Sequence, residues 1–335
     1  MEGVIFNYLS ALSLLFIFMI IAFMLFTLSK GADILVDEAV SLSIHWGIPK
    51  MIIGATIVSL GTTLPEATVS VMAAIQGNPD LALGNAIGSI IADTGLIIGV
   101  ASLLGKLPID QFVIDKQGKI QYMAGILLAV VSLPFLSPGP DGKITQLMGI
   151  IFLVLLGLYI YKSIDWARKG EVSSEPAYAE EPTPVAAQIF KLVLGITLVI
   201  ASSKVLIPSV EIAAIRLGVP QSIIAATLVA FGTSLPELIT AVTAVRKGHG
   251  ELAIGNIVGA DILNVLFVIG AAAAVTSEGL MVPANFYILQ IPTMLLILVT
   301  FRHFTKGKSR EIDKKEGKYL LLMYLVYLVL NYVIL

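Results

Sequence analysis

Residues 54–74 read GATIVSLGTTLPEATVSVMAA, and residues 225–245 read AATLVAFGTSLPELITAVTAV. Each is an apolar run with one carboxylate at its centre, Glu66 in the first and Glu237 in the second. A glycine-rich apolar stretch follows each, GNAIGSIIADTG at 84–95 and GNIVGADILNVL at 255–266. A constant offset of 171 residues aligns Gly47–Val100 with Gly218–Ala271 without a gap, and about 23 of the 54 positions are identical. An ionisable group inside a membrane span is costly to keep there, so by default it marks a functional site.

The composition supplies the membrane. The chain has 335 residues, 57% hydrophobic and 13% charged, with a mean hydropathy of +0.94. Soluble domains carry about a quarter charged residues. The net charge of −2 says little about partners, and nothing points to nucleic acid. With no cysteine, disulfides, thiol chemistry and thiolate metal sites are excluded. Glu2 and the lack of a basic leader predict that the first apolar run stays as a helix rather than being cleaved.

A span needs roughly 20 apolar residues. Ten runs qualify, at about 8–32, 50–76, 80–105, 118–136, 145–162, 187–214, 221–245, 250–275, 283–301 and 317–334. They are too long for strands and lack the alternation of a membrane barrel. The expected fold is therefore an all-α integral membrane protein of ten transmembrane helices. A polar stretch, DWARKGEVSSEPAYAEEPTP, opens a predicted linker at 165–186. It divides a first unit at 1–164, with its motif at 54–100, from a second at 187–335, with its motif at 225–271. Five spans per unit is odd, so equivalent helices cross in opposite directions. That is an inverted repeat, the construction of many secondary transporters.

Lysine and arginine set the orientation. With the linker in the cytoplasm, the inner loops hold Lys50, Lys106, Lys116, Lys119, Lys162, Arg168, Lys169, Arg246, Lys247 and the basic run from Arg302 to Lys318; the outer loops keep Lys143 and Arg216. Both termini are predicted outside the cell membrane.

Pro65 has no amide hydrogen and clashes with the carbonyl four residues back, at Gly61, so the helix must kink or unwind. Pro236 repeats this in the second half. Non-helical backbone at membrane depth is tolerated only where protein or a hydrated cavity satisfies it. Thr62, Thr63 and Glu66 share a helical face, as do Thr233, Ser234 and Glu237. On the following helices Ser89 and Asp93 share a face, and their repeat partners are Ala260 and Asn264. The expected pocket holds three carboxylates, one amide and several hydroxyls, hard oxygen ligands that suit Ca²⁺ and Na⁺.

At these residues the chain resembles the calcium/cation antiporter superfamily, and most closely the prokaryotic sodium/calcium exchangers. The carriers are GTTLPE and GTSLPE, each followed by a G-x-x-G run ending in Asp93 or Asn264. The resemblance implies a central ion site lined by the second and third helices of each half, with the first and sixth helices sliding against a rigid core. It implies that Glu66 and Glu237 bridge Ca²⁺ and Na⁺ sites. Thr62, Thr63, Thr233, Ser234 and Ser89 would add oxygens, as would the carbonyls of Ser59 and Ala230. The sequence departs from the archaeal-type pattern in two ways: Asp93 and Asn264 are exchanged between the halves, and Ala260 stands where a serine is expected. Asp261, next to it, is open to a packing role or a site role.

The expected function is antiport of Ca²⁺ against Na⁺ by alternating access, in the direction of Ca²⁺ extrusion, with no cofactor beyond the transported ions and one chain sufficient. Ca²⁺/H⁺ exchange is the alternative, since a carboxylate among carboxylates can take a proton in place of a cation. A hydrolase would need a nucleophile with a positioned base; no such spacing occurs in the spans, so no enzyme is expected. Asp33 and Lys204 are intramembrane or interfacial charges, and His45, His249 and His303 fall near span ends.

Overall fold

The computed structural model describes residues 2–134, 142–169, 184–218, 232–307 and 310–334. Described residues are helical almost throughout. In chain order the helices are α1 (Glu2–Ser10), α2 (Leu14–Trp46), α3 (Lys50–Thr62), α4 (Leu64–Ile75), α5 (Pro79–Leu104) and α6 (Gln111–Val131). Then come α7 (Gln146–Lys169), α8 (Val185–Arg216), α9 (Leu235–Arg246), α10 (Gly250–Ala274), α11 (Phe286–Thr305) and α12 (Lys314–Ile334).

Among the described residues, α2, α5, α7, α8, α10 and α11 are long and apolar enough to cross a membrane. The pair α3 and α4 makes a seventh if it counts as one span bent by 45°. The predicted spans 118–136 and 317–334 fall on α6 and α12, each helical over 21 residues. The seventh predicted span, 221–245, is described only from residue 232.

Several boundaries differ from expectation. The first run does not end at 32: α2 continues to Trp46, carrying Asp33, Asp37 and Glu38 as a polar end, and stops where Gly47 adopts φ 62°. The linker does not begin at 165, because α7 stays helical through Lys169. The break in the Pro65 helix falls at Thr63, leaving Pro65 in the first turn of α4, where a missing N–H costs nothing.

The internal repeat is visible in the backbone. Among the described residues five glycines have positive φ, and four of them form two pairs at the offset of 171: Gly47 with Gly218, and Gly77 with Gly248. All four end helices in the left-handed conformation that glycine adopts without a Cβ clash. Local side chains start other helices. Asn78 accepts from Leu81 N at 3.1 Å ahead of α5. Asp110 accepts from Val113 N at 3.1 Å ahead of α6. Before α12, Asp313 and Glu316 exchange bonds as a capping box.

Burial sorts the helices into a core and a shell. Within the most apolar window of α5, 78% is buried, and for α10 the figure is 83%. For α2, α7 and α8 it is 17%, 22% and 28%, and α2 turns Phe16, Phe18, Phe23 and Phe26 outward. The two helices that end the duplicated motif are therefore the enclosed centre. They widen at matching places into π-helical turns, Ala92–Ile97 in α5 and Asn264–Ile269 in α10. Such turns concentrate at functional sites. A third, Gly54–Val58, lies in α3, and Tyr159 on α7 donates to the Ala55 carbonyl within it at 2.8 Å. Close approach of α10 to α3 depends on two glycines: a Cβ on Gly255 would meet Met51 O at 2.1 Å, and one on Gly259 would meet Ala55 O at 2.5 Å.

Two small antiparallel ladders, not foreseen from the sequence, clip loops of the two halves together. Leu107–Pro108 (β1) pairs with Glu311–Ile312 (β4), and Gly142–Ile144 (β2) with Leu280–Val282 (β3). A charged clamp joins α2 to the end of α9, where Lys247 Nζ lies 2.8 Å from both Asp37 carboxylate oxygens and 3.3 Å from Asp33. Asp33 also lies 3.9 Å from Lys30.

Candidate cation site

Three carboxylates expected in the pocket are all buried, with Glu66, Asp93 and Glu237 each 1% exposed. Each lies within Coulombic range of another: Glu66 of Asp93, Asp93 of Glu237, and Glu237 of Glu66. Helix α4 brings Glu66 into its first turn just after the break at Thr63, and α9 does the same for Glu237 after Ser234. The π turn holding Asp93 packs on α9, and the π turn opened by Asn264 packs on α4, so each half supplies a wall to the other.

Hydroxyls and amides fill in around them, again reciprocally. Thr233 Oγ1 donates to Asn85 Oδ1 at 3.0 Å, and its repeat equivalent Thr62 Oγ1 donates to Asn256 Oδ1 at 3.4 Å. Asn85 and Asn256 are themselves equivalents at the same offset. Ser234 Oγ donates to Ser89 Oγ at 3.1 Å, joining the halves a third time. Asn85 also donates to the Glu66 carbonyl at 3.1 Å and to Ser70 Oγ at 3.0 Å, which fixes α5 against α4.

Of the expected ligands, Glu66, Glu237, Asp93, Asn264, Thr62, Thr63, Thr233, Ser234 and Ser89 all lie on these central elements. Ala230 lies outside the described residues. The Ser59 carbonyl is not a freed one: it accepts from Thr63 N at 2.9 Å and from Thr62 Oγ1 at 3.4 Å. Ala260 is buried and brings no hydroxyl.

Both oxygens of Glu66, Asp93 and Glu237 are buried without a hydrogen-bonding partner, and so are Thr63 Oγ1 and Asn264 Oδ1. Native proteins rarely leave buried polar atoms unpaired, least of all carboxylates. A hard cation fits this donor set. Among the described residues no three acidic, histidine or cysteine side chains converge closely enough to enclose a metal ion by themselves. A cation held here would take part of its shell from hydroxyl, amide and backbone oxygens.

Asn85 and Asn256 were not singled out from the sequence, although the duplicated Gly-Asn pair at 84–85 and 255–256 carried the signal. Nor was the bonding of Asp261. Its Oδ2 accepts from Thr94 Oγ1 at 2.5 Å and from Gln121 Nε2 at 2.6 Å.

The sequence profile of the family described as "Sodium/calcium exchanger protein" matches residues 14–164 and 188–333. The putative antiporter CaxA of Alkalimonas amylolytica is 33% identical over 305 residues, covering 89% of this chain and 92% of its own. The sodium/calcium exchanger MaX1 of Methanosarcina acetivorans is 28% identical over 353 residues, covering 95% and 99%. Among solved structures, one of the sodium-calcium exchanger NCX_Mj superposes with a TM-score of 0.78 at 26% identity, over 95% of this chain and 99% of that one.

Proposed function

The chain belongs to the sodium/calcium exchanger protein family, a family of multi-pass membrane transporters, and on that premise we propose that it exchanges Ca²⁺ for Na⁺ by alternating access. The observation that carries this reading is a set of three buried, unpartnered carboxylates contributed by both halves. Glu66 and Glu237 bind the cation from the two broken helices, Asp93 and Asn264 from the two π turns. Thr62, Thr63, Thr233, Ser234 and Ser89 complete the oxygen shell, with backbone carbonyls beside them. The same site takes Ca²⁺ or Na⁺ in turn. An empty site leaves like charges in low dielectric, which disfavours reorientation without cargo.

Ten helices in two inverted halves fit the contacts between loops. The ladder of 107–108 with 311–312 joins two loops on the predicted inner side, and that of 142–144 with 280–282 joins two on the outer side. The Lys247 clamp likewise joins two inner ends. Each pairing needs an even number of crossings between its two loops, and the proposed ten supply it. Cytoplasmic placement of the linker, outer termini and Ca²⁺ extrusion follow from the positive-inside rule and the Na⁺ gradient. A second reading, Ca²⁺/H⁺ exchange, is favoured by one observation: a fourth buried acid, Asp261, stands beside Asp93.

The test is ⁴⁵Ca²⁺ uptake into proteoliposomes loaded with Na⁺ and diluted into Na⁺-free medium, at fixed pH with a protonophore. Uptake that needs the Na⁺ gradient and disappears in Glu66→Gln is the expected result. Uptake that ignores Na⁺ and follows an imposed pH gradient once the protonophore is omitted would replace Na⁺ by H⁺.

A further inference from the structure

Three departures from the internal repeat meet in one place. The second half has Asn264 where the first has Asp93, and Val265 where the first has Thr94. It has Asp261 where the first has Ile90. In the structure Thr94 and Asp261 touch. Thr94 Oγ1 donates to Asp261 Oδ2 at 2.5 Å, and Gln121 Nε2 donates to the same oxygen at 2.6 Å while standing 3.4 Å from Thr94 Oγ1. All three side chains are buried. The contact joins α5, α6 and α10 where α5 is relaxed into its π turn and α10 is one turn short of its own.

Asp93 and Thr94 are consecutive residues of the turn Ala92–Ile97. A π turn interrupts the regular i→i−4 ladder, so the facing of its side chains depends more on tertiary contacts than in an α-helix. No hydrogen bond of normal geometry reaches either Asp93 oxygen, although the Ser234 hydroxyl lies in range of its charge. Its neighbour has one of the shortest bonds in the core. The apolar pair Ile90 and Val265, at the equivalent places of the other half, can form no such tie.

We propose that Asp261, bonded to Thr94 and Gln121, is a positioning residue that sets the Asp93 carboxylate for the transported cation. The proposal rests on the reading of Asp93 as a cation ligand. Two competing accounts are a tie that only packs the helices and a fourth charge that acts on the cation directly.

Substitutions separate them. Asp261→Asn keeps an acceptor oxygen for both donors and removes the charge. Asp261→Ile, after Ile90, removes both. Thr94→Val, after Val265, removes the donor at nearly constant shape. For each, initial ⁴⁵Ca²⁺ uptake against Ca²⁺ concentration gives KM and Vmax in Na⁺-loaded proteoliposomes. Equilibrium ⁴⁵Ca²⁺ binding in detergent replaces uptake for any variant that transports too slowly, and elution as a monodisperse species checks the fold. Thr94→Val and Asp261→Ile should raise the KM or Kd for Ca²⁺ about tenfold, with Vmax changed less than about threefold. Asp261→Asn should stay within about threefold of the unsubstituted KM. In an Asp93→Asn background, Thr94→Val should add no further loss, because its effect runs through Asp93.

An unchanged KM in Thr94→Val overturns the proposal. So does an Asp261→Asn variant as impaired as Asp261→Ile, which would favour the direct charge, or a Thr94→Val penalty that persists without the Asp93 carboxylate. If the unsubstituted protein neither binds nor transports Ca²⁺, the exchanger reading itself falls, and the proposal with it.

Discussion

Among the described residues four carboxylates lie buried at the centre, and they are of two kinds. No oxygen of Glu66, Asp93 or Glu237 accepts a hydrogen bond of normal geometry, whereas Asp261, buried to the same degree, has Oδ2 held by two neutral donors at 2.5 and 2.6 Å and only Oδ1 unpartnered. Burial alone therefore does not distinguish a ligand from an anchor. Partner status does. An unpaired acid in low dielectric costs several kcal/mol unless a cation or proton compensates it, so the first three are tolerable in a protein that spends its time loaded. Hydroxyl and amide donors bonded to an acid instead order the helices that carry them.

The comparison breaks first at the unpartnered acids. Glu66→Gln or Glu237→Gln should lower Na⁺-driven ⁴⁵Ca²⁺ uptake on the order of a hundredfold or more, while elution of the purified protein is unchanged. Retained uptake in either would show that its carboxylate is no ligand.

A smaller effect sharpens the comparison between the two halves. Asn85 makes three hydrogen bonds, to the Glu66 carbonyl, Ser70 and Thr233, whereas Asn256 accepts one at 3.4 Å and its Nδ2 has no partner. Asn85→Leu should destabilise by about 1–3 kcal/mol in thermal unfolding, and Asn256→Leu by less than about 1 kcal/mol. The reverse order would mean that the asymmetry of bonds has no energetic weight.

Away from the centre, Asp33 and Asp37 are paired with lysine and reached by water, and their worth drops accordingly. Lys247→Met removes the clamp to Asp33 and Asp37, which is partly exposed. The loss should not exceed about 1 kcal/mol and should vanish in high salt. Burial lowers the Lys247 pKa, but the bonds and charges of Asp37 and Asp33 outweigh it and hold the ammonium above its usual range. That contribution is complete below about pH 10.4 and is lost only above it.

The smallest expected effect is on the neighbouring His249. Burial and then the charge of Lys50, whose Nζ is 3.4 Å from His249 Nδ1, hold this imidazole below its usual range. The folded protein thus takes up the proton less readily than the unfolded chain. Stability should fall as pH drops below about 6.5 and continue to fall down to the lowered value. His249→Asn should flatten the acid side of a melting-temperature profile in that window, which differential scanning fluorimetry would read.

Much of the site was legible in the sequence because it is local. Glu66 and Glu237 follow a proline by one residue, and a proline in an apolar run has a fixed physical consequence. The offset of 171 then placed Asp93, Asn264, Ser89 and the threonines without further information. What escaped notice depends on long-range contacts. Asp261 meets Thr94 and Gln121 across separations of 167 and 140 residues, and no spacing rule relates them. The π turns change hydrogen bonding with no change of composition, so Ala92–Ile97 reads as any apolar helix. The polar end of α2 was cut short at residue 32 because hydropathy measures lipid contact, and that helix continues past it to Trp46.

The two small ladders have a consequence for the chain as a single covalent object. Each stitches a strand of the first half to a strand of the second, β1 to β4 at one end and β2 to β3 at the other. The halves also interlock through α2 with α8 and α3 with α10. Continuity of the backbone between Lys169 and Pro184 is then not what keeps them in register. Two polypeptides made separately, one ending and one beginning in that interval, should find each other in the bilayer and assemble into the same molecule.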